Sequence, residues 1–241
     1  MNRRRALFII LAFPGVLAIP LGGCHSGQIT RPQNSTEGAS QSRTTAAPVN
    51  AALAPAVDTR PVIVAFGDSL TAGFGADPGQ SYPDFLQKEL DARGYRYHVV
   101  NAGVSGNTTK DGVGRLKDVL ALKPSVAIVA FGGNDGLRGL PIADTRANLD
   151  EIVGALTRAH VKVVMGGITL PPNYGPDYIA QFNQTYTLVS RKYHVPLLPF
   201  LLIHVYDVPG SMQEDGIHAT AQGNRQIALN LLPLVTPLIR K

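Results

Sequence analysis

The sequence predicts an α/β fold in which a five-stranded parallel sheet is covered by helices on both sides. Three observations support this prediction. Five short apolar runs rich in β-branched residues follow one another after residue 61, helix-period stretches separate them, and each run is apolar at consecutive positions. A strand that is apolar on both faces must be buried on both faces, as strands are in the parallel sheets of α/β proteins.

The predicted elements alternate along the chain. The strands cover residues 62–66, 97–100, 126–131, 161–165 and 195–198. The helices cover residues 82–93, 110–122, 144–160 and 177–193, and a last helix runs from residue 220 to residue 232 or beyond. Short apolar runs of this length are typical of buried strands, and Gly94 is a typical stop for the first helix. In such sheets the functional groups lie at the carboxyl ends of the strands.

The N-terminus predicts an export signal. Three arginines at positions 3–5 precede an apolar stretch over residues 6–21, which prolines interrupt and which is too short to span a bilayer comfortably. The sequence LGGC at 21–24 resembles a bacterial lipobox, in which the cysteine is lipidated and becomes the first mature residue. We therefore predict a signal peptide over 1–23 and a cell-envelope lipoprotein that faces the periplasm, anchored to the membrane through Cys24. The alternatives are an ordinary signal peptide or a short membrane anchor with an incidental cysteine.

The composition beyond the signal separates a linker from a domain. Residues 24–60 are mostly small and polar and contain no aromatic residue, which predicts a disordered tether, and residues 61–241 form the globular domain. Cys24 is the only cysteine, so no intramolecular disulfide forms. The formal net charge of +5 falls to +2 without the three N-terminal arginines, and no basic run interleaved with aromatics follows. The sequence therefore argues against a nucleic-acid partner.

Ser69 is the candidate nucleophile. It lies in the sequence GDSLTAG at 67–73, directly after the first predicted strand. A serine on a tight turn after a buried strand is presented at the active edge of the sheet. Serine is a weak nucleophile, so it needs a base within hydrogen-bond reach and donors for the oxyanion that its attack creates.

His218 is the candidate base, with Asp215 as its partner in the sequence DGIH. An aspartate three residues before a histidine can reach its Nδ1 atom, fix the tautomer and stabilise the imidazolium. Four other histidines of the domain have no acid in that position: His98, His160, His194 and His204. Because the base must start neutral, we expect activity to fall as the pH drops through about 6–7, where histidine usually titrates.

Two loops offer hydrogen-bond donors for the oxyanion. Gly106 follows the second strand and can present a bare backbone N–H. Asn134, in the sequence GGND at 132–135, follows the third strand and can offer its side-chain amide. Each loop alone is ordinary, but four strand-end loops with complementary roles predict one catalytic site.

In this order the blocks resemble the SGNH hydrolases, also called GDSL esterases and lipases. The resemblance spans about residues 61–240 and is closest to the bacterial thioesterase I/protease I/lysophospholipase and arylesterase subgroup. The segments that carry the closer resemblance are GGNDGLRG at 132–139, LPPNYG at 170–175, VPLLPF at 195–200 and MQEDGIH at 212–218. Many relatives have proline after the catalytic histidine, where this chain has Ala219.

The resemblance implies a three-layer α/β/α sandwich of flavodoxin-like type. It implies Ser69 as nucleophile, His218 as base and Asp215 as orienting acid, with an oxyanion hole formed by the N–H groups of Ser69 and Gly106 and the side chain of Asn134. It further implies a covalent acyl-enzyme, with no metal and no cofactor.

These inferences lead to a serine esterase or thioesterase that acts as a monomer on small-molecule aryl esters, acyl-thioesters or lysophospholipids. The Pro-Pro and Gly positions in loop 170–175 predict a mobile wall for an acyl-binding groove, formed by Leu170, Pro171, Asn173 and Tyr174. Two alternatives remain open. One is a carbohydrate O-acetylesterase of the cell envelope, although the chain contains no Trp for a sugar platform. The other is a non-catalytic envelope lipoprotein that uses the fold for binding.

Overall fold

The sheet of the protein contains five parallel strands, as the sequence predicts. The computed structural model describes residues 58–241, so the predicted signal peptide, Cys24 and nearly all of the predicted tether lie outside the described residues. The strands are β1 (Val62–Gly67), β2 (His98–Gly103), β3 (Val126–Ala130), β4 (Lys162–Gly166) and β5 (Leu197–Leu198). Their spatial order is β2-β1-β3-β4-β5, and every neighbouring pair is parallel.

The helices form the two outer layers of a three-layer sandwich, which confirms the predicted fold. They are α1 (Ser69–Ala72), α2 (Tyr82–Ala92), α3 (Thr109–Ala121), α4 (Gly133–Leu137), α5 (Ile142–Arg158), α6 (Pro176–Tyr193) and α7 (Ala221–Val235). Helix α2 packs against α7, while α5 packs against both α3 and α6. The strand order reverses direction after β2, and right-handed crossovers then place α2 on one face and α3, α5 and α6 on the other. Helix α7, which follows the last strand, packs beside α2.

The outer strands differ from the expectation that every strand is buried on both faces. Every residue of β3, the central strand, is buried, whereas β2 is only partly buried and its Asn101 is exposed. Strand β2 pairs only with β1 among the described residues, so one edge of it is uncovered. Strand β5, on the opposite edge, is two residues long instead of the predicted four. The sequence pattern describes hydrophobicity but not position within the sheet.

Local sequence signals fix the ends of the main helices. Ser81 caps α2 and Thr108 caps α3, and in both cases an aspartate at the third helical position hydrogen-bonds back to the cap, so that a capping box forms. The short helices α1 and α4 were not predicted. Each begins within three residues of the end of a strand, β1 or β3, and is too short to show a helical period.

The described residues before β1 contact the domain. The Arg60 side chain bonds to Asp58 at 2.7 Å and lies 3.6 Å from the carboxylate of Asp91 in α2. In the part of the chain from residue 58 onward, no helix is long and apolar enough to span a bilayer.

Candidate active site

Ser69 lies at the turn between β1 and α1. The preceding Asp68 caps α1, since its Oδ1 accepts the N–H of Leu70 at 3.1 Å. Gly67 ends the strand, and a Cβ atom there would collide with the Thr71 side chain and with the backbone oxygen of Ala130. Glycine therefore allows the close packing of β1 against α1 and β3 just before Ser69.

The three residues predicted as nucleophile, base and acid form one hydrogen-bonded chain. The Nε2 atom of His218 lies 2.9 Å from the Oγ of Ser69, and its Nδ1 lies 2.6 Å from the Oδ2 of Asp215. The other carboxylate oxygen of Asp215 accepts the backbone N–H groups of Ile217 at 2.9 Å and His218 at 3.0 Å. Residues 149 positions apart in sequence thus meet at the carboxyl edge of the sheet.

Electrostatics keep Asp215 ionised. Partial burial acts to raise its pKa, but the hydrogen bonds from the His218 ring and from the backbone of His218 and Ile217 outweigh this effect and lower the pKa to about 2. The carboxylate can therefore hold the Nδ1 proton of His218 and leave Nε2 facing Ser69.

The loop that carries His218 is fastened to the turn after Ser69. The side-chain amide of Gln213 donates to the backbone oxygens of Phe74 at 2.7 Å and Ala219 at 2.9 Å. The Phe74 ring packs beside the His218 imidazole, with 4.6 Å between the ring centroids. Neither Gln213 nor Phe74 was identified from the sequence, because no motif marks a residue that orients a histidine from a neighbouring loop.

The two predicted donor residues lie on neighbouring loops that are joined to each other. The amide nitrogen of Asn134 donates one hydrogen bond to the backbone oxygen of Asn107 at 2.9 Å, and an amide carries a second hydrogen for another acceptor. Gly106 has a φ of +82°, and its carbonyl oxygen accepts from Arg138 at 3.0 Å. Within residues 58–241, the Gly106 N–H donates no hydrogen bond. Both groups are thus available to a ligand.

Two buried carboxyl groups lie next to the residues of the site. Asp135 accepts the backbone N–H of Thr109 at 2.9 Å and also its hydroxyl at 2.5 Å. Asp68 has a bonded Oδ1, but its Oδ2 is buried with no partner among the described residues. Burial raises the pKa of Asp68 to about 7, with the Leu70 N–H opposing the rise and the nearby Asp135 adding to it.

A largely apolar cavity of about 350 Å³ has Ser69 and His218 in its wall. Its volume is in the range of small-molecule sites. Leu170 and Pro171 line it, as predicted, but Asn173 and Tyr174 are not among the lining residues. Tyr174 instead donates its hydroxyl to the backbone oxygen of Leu137 at 2.9 Å, so it anchors the loop rather than facing the cavity.

Much of the remaining wall comes from residues that the sequence did not single out. They are Leu137, Ile168, Phe200, Leu202, Tyr206 and Ile217. Of the histidines in the described part of the chain, only His218 lines the cavity. His98 instead lies 3.3 Å from the carboxylate of Asp58, before β1.

Comparisons with known proteins identify related sequences and structures. Residues 65–226 match the model of the GDSL-like Lipase/Acylhydrolase family. The chain is 40% identical to Esterase TesA of Pseudomonas aeruginosa over 178 residues, which cover 73% of this chain and 89% of that protein. It is 35% identical to Thioesterase 1/protease 1/lysophospholipase L1 of Escherichia coli K12, over 77% of this chain and 87% of that protein. The crystal structure of TesA superimposes with a TM-score of 0.71 and 40% identity, covering 74% of this chain and 99% of that chain.

Proposed function

Because this chain belongs to the GDSL-like lipase/acylhydrolase family, we propose that it hydrolyses acyl esters and thioesters through an acyl-enzyme on Ser69. Membership makes the chain a carboxylic ester hydrolase. The observation that carries the proposed mechanism is the hydrogen-bonded chain from Asp215 through His218 to Ser69, at 2.6 and 2.9 Å. Free serine is a poor nucleophile, and this arrangement is the one that activates it.

The first half of the proposed reaction forms the acyl-enzyme. The Oγ of Ser69 attacks the acyl carbonyl carbon while its proton passes to the Nε2 of His218. The resulting oxyanion accepts hydrogen bonds from the N–H groups of Ser69 and Gly106 and from the free amide hydrogen of Asn134. As the tetrahedral intermediate collapses, His218 returns the proton to the leaving alcohol or thiol.

The second half releases the acid by the same groups. His218 takes a proton from water, whose oxygen attacks the acyl-enzyme carbonyl carbon. The intermediate then expels the Oγ of Ser69, which recovers its proton from Nε2. Asp215 stays ionised in both halves, because its pKa of about 2 lies far below neutral pH. Its role is to orient the ring and stabilise the imidazolium.

The cavity supports an apolar acyl group as the bound part of the substrate. Its wall combines Leu170 and Ile168 with Phe200, Leu202 and Ile217. Burying a methylene group in such a wall contributes about 0.8 kcal/mol, so affinity should rise with the length of a saturated acyl chain until the cavity is full. Aryl esters, acyl-thioesters and lysophospholipids share this requirement, whereas an acetyl group on a polysaccharide would leave most of the wall unused.

The test compares wild type with Ser69→Ala on one substrate panel: p-nitrophenyl esters of increasing chain length, an acyl-CoA, a lysophospholipid and an acetylated glycan. We expect wild type to prefer the longer acyl chains over the glycan and to be labelled by a fluorophosphonate probe. Ser69→Ala should lose both hydrolysis and labelling while remaining folded by circular dichroism. A folded wild type without activity or label would contradict the proposal, and a preference for the acetylated glycan would replace it with an O-acetylesterase.

We also propose that the chain is exported and anchored through a lipid on Cys24, on the sequence pattern at 21–24. Metabolic labelling with an alkynyl fatty acid should mark the wild-type chain in the membrane fraction. The Cys24→Ala variant should lose the label. Persistence of the label on that variant, or its absence from wild type, would contradict the anchor.

A further inference from the structure

Arg115 makes three hydrogen bonds at the carboxyl edge of the sheet. It lies in α3, and its guanidinium reaches over the ends of β1 and β2. The Nη2 group donates to the backbone oxygen of Gly67 at 3.2 Å, and the Nη1 group donates to that of Ala102 at 3.0 Å. The Nε group donates to the side-chain oxygen of Asn107 at 2.8 Å. One side chain thus joins the first strand, the second strand and the loop that follows the second strand.

The acceptors of Arg115 are neutral, and no carboxylate lies within ion-pair distance of its guanidinium in residues 58–241. The nearby Asp111 uses its carboxylate to cap α3 by bonding to Thr108. The guanidinium lies near the faces of Phe66 and Phe131, with 5.0 Å and 6.0 Å to the ring centroids. Burial lowers the pKa of Arg115, yet an arginine remains charged at any physiological pH. The planar guanidinium of Arg115 thus binds two backbone oxygens and one amide oxygen and forms no surface ion pair within residues 58–241.

The contacts of Arg115 continue to Asn134 through Asn107. The side chain of Asn107 accepts from Arg115, and its backbone oxygen accepts from the amide of Asn134. On the other side, Gly67 is two residues before Ser69 and ends the strand that presents it. Arg115 therefore connects the turn that carries Ser69 to the loop of Asn107, whose backbone oxygen binds the Asn134 amide.

We propose that Arg115 is a positioning residue for the oxyanion hole, which it serves by holding Asn107 and, through it, Asn134 in place relative to Ser69. This inference rests on the proposed function, in which Asn134 donates to the oxyanion. Arg115 itself need not touch the substrate. A donor that moves by about 1 Å can cost about 100-fold in rate, so a residue that fixes the donor affects catalysis without binding substrate.

Lysine cannot replace this geometry. Its ammonium group is a single charged point on a flexible stem, while the three acceptors of Arg115 are met by three separate nitrogens of a planar group. The Asn107→Ala variant tests the same link from the other end. It removes the side chain that Arg115 binds but keeps the backbone oxygen that Asn134 uses.

The experiment measures kcat and KM on a p-nitrophenyl ester for Arg115→Lys, Arg115→Met and Asn107→Ala. The control is Lys117→Met, which removes a positive charge from an exposed position of the same helix. We expect kcat to fall about 10- to 100-fold in the three test variants with KM changed by less than about 3-fold, because the donor acts mainly in the transition state. The control should keep wild-type kcat. Thermal unfolding of each variant identifies those that fold.

A double-mutant cycle with Asn134→Ala separates positioning from a general structural role. If Arg115 acts through Asn134, its substitution should matter little once the Asn134 amide is gone. In the Asn134→Ala background, Arg115→Met should therefore lower kcat by less than about 3-fold. Unchanged kcat in folded Arg115→Met, or fully additive losses in the cycle, would overturn the inference. If Arg115→Met does not fold, Asn107→Ala and its own cycle with Asn134→Ala decide the question by the same criteria. A failure of the proposed function appears differently, as a wild type that is itself inactive.

Discussion

Replacing Asp68 by asparagine should stabilise the folded protein at alkaline pH and destabilise it near pH 4. Asp68 is 1% exposed, and its Oδ2 is buried without a partner in the described part of the chain. Its Oδ1 caps α1 by accepting the Leu70 N–H, a bond that an asparagine oxygen can also accept. The substitution therefore removes an ionisable group while it keeps the cap.

The size of the effect follows from the pKa of this carboxyl. Burial raises the pKa from the usual 3.8 to about 7. Well below pH 3.8 the carboxyl is protonated in both the folded and the unfolded chain, so ionisation contributes nothing. Between about pH 4 and 7 the unfolded chain releases the proton while the folded chain retains it, and the free energy of unfolding therefore falls as the pH rises. The difference between 3.8 and about 7 corresponds to about 4 kcal/mol of lost stability above pH 7, at 1.36 kcal/mol for each pH unit.

The Asp68→Asn variant escapes this loss. Its buried amide carries two unpartnered N–H groups where the protonated acid has one unpartnered O–H, which costs about 1–3 kcal/mol at every pH. At pH 8 the variant avoids the loss of about 4 kcal/mol, so it should be more stable than wild type by about 1–3 kcal/mol, or about 2–12 °C in Tm for a domain of this size. At pH 4 it should be less stable than wild type by about 1–3 kcal/mol.

The assay is urea unfolding of wild type, Asp68→Asn and Asp77→Asn over a series from pH 4 to pH 9. Asp77 is exposed, so its substitution removes an aspartate carboxyl that is not buried. The Asp77→Asn curve should run parallel to wild type, while the stability difference between Asp68→Asn and wild type should change sign between about pH 4 and 7. A constant gap across the series, or a variant that is less stable than wild type at pH 8, would refute the reasoning.

Two further predictions test the site and the sheet edge. Asp215→Asn should lower kcat about 10³- to 10⁴-fold in a steady-state ester assay, because an amide in place of the carboxylate favours the wrong tautomer of His218; a loss below about 10-fold would contradict the role of Asp215. Tyr186→Phe should destabilise the protein by about 1–3 kcal/mol in urea unfolding, because the buried Tyr186 hydroxyl donates to the backbone oxygen of Phe131 at 2.9 Å, just after β3, and its loss leaves that oxygen unpaired. An unchanged unfolding midpoint would show that another group satisfies Phe131.

The sequence was sufficient to predict the fold and the proximity of Ser69, Asp215 and His218. Apolar runs alternating with helical periods require a parallel sheet, and such a sheet brings the carboxyl ends of its strands to one edge. Ser69, Gly106 and Asn134 each follow a predicted strand, so their proximity follows from topology alone. His218 follows no strand directly, and Asp215 at three residues before it was the signal that selected it over the other histidines.

The sequence was not sufficient to predict the cavity wall. Phe200, Leu202 and Tyr206 lie in a turn-rich segment after β5, where no period distinguishes a residue that lines a cavity from one that fills the core. The prediction for Asn173 and Tyr174 was drawn from loop composition, which indicates where a loop lies but not which side chains face inward. The half-buried Tyr174 donates its hydroxyl to the backbone oxygen of Leu137, as tyrosine hydroxyls usually find a partner when they are taken out of water.

Arg115 shows why a residue that joins several strand-end loops can look like an ordinary surface charge. The residues of α3 that are buried include Gly112, Leu116 and Val119, so Arg115 lies beside the apolar face of an amphipathic helix, where sequence patterns predict a solvated cation. The position of α3 between two parallel strands, β2 and β3, indicates instead that Arg115 lies near the ends of the strands. Helix α3 follows β2, so its first turns start at the carboxyl edge of the sheet, and helical side chains tilt toward the N-terminus of their helix.

This geometry places a long side chain in the second turn of such a helix within reach of the strand ends. Arg115 is six residues after Thr109, the first residue of α3, which is a rise of about 9 Å along the axis. The arginine side chain spans most of that distance in the backward direction and binds the backbone oxygens of Gly67, the last residue of β1, and Ala102, the last but one residue of β2. We therefore expect that a basic residue can position the loops of such a site when it lies in the second turn of the helix that follows a strand, at the edge of the apolar face. The Arg115 and Asn107 variants test this expectation in this chain.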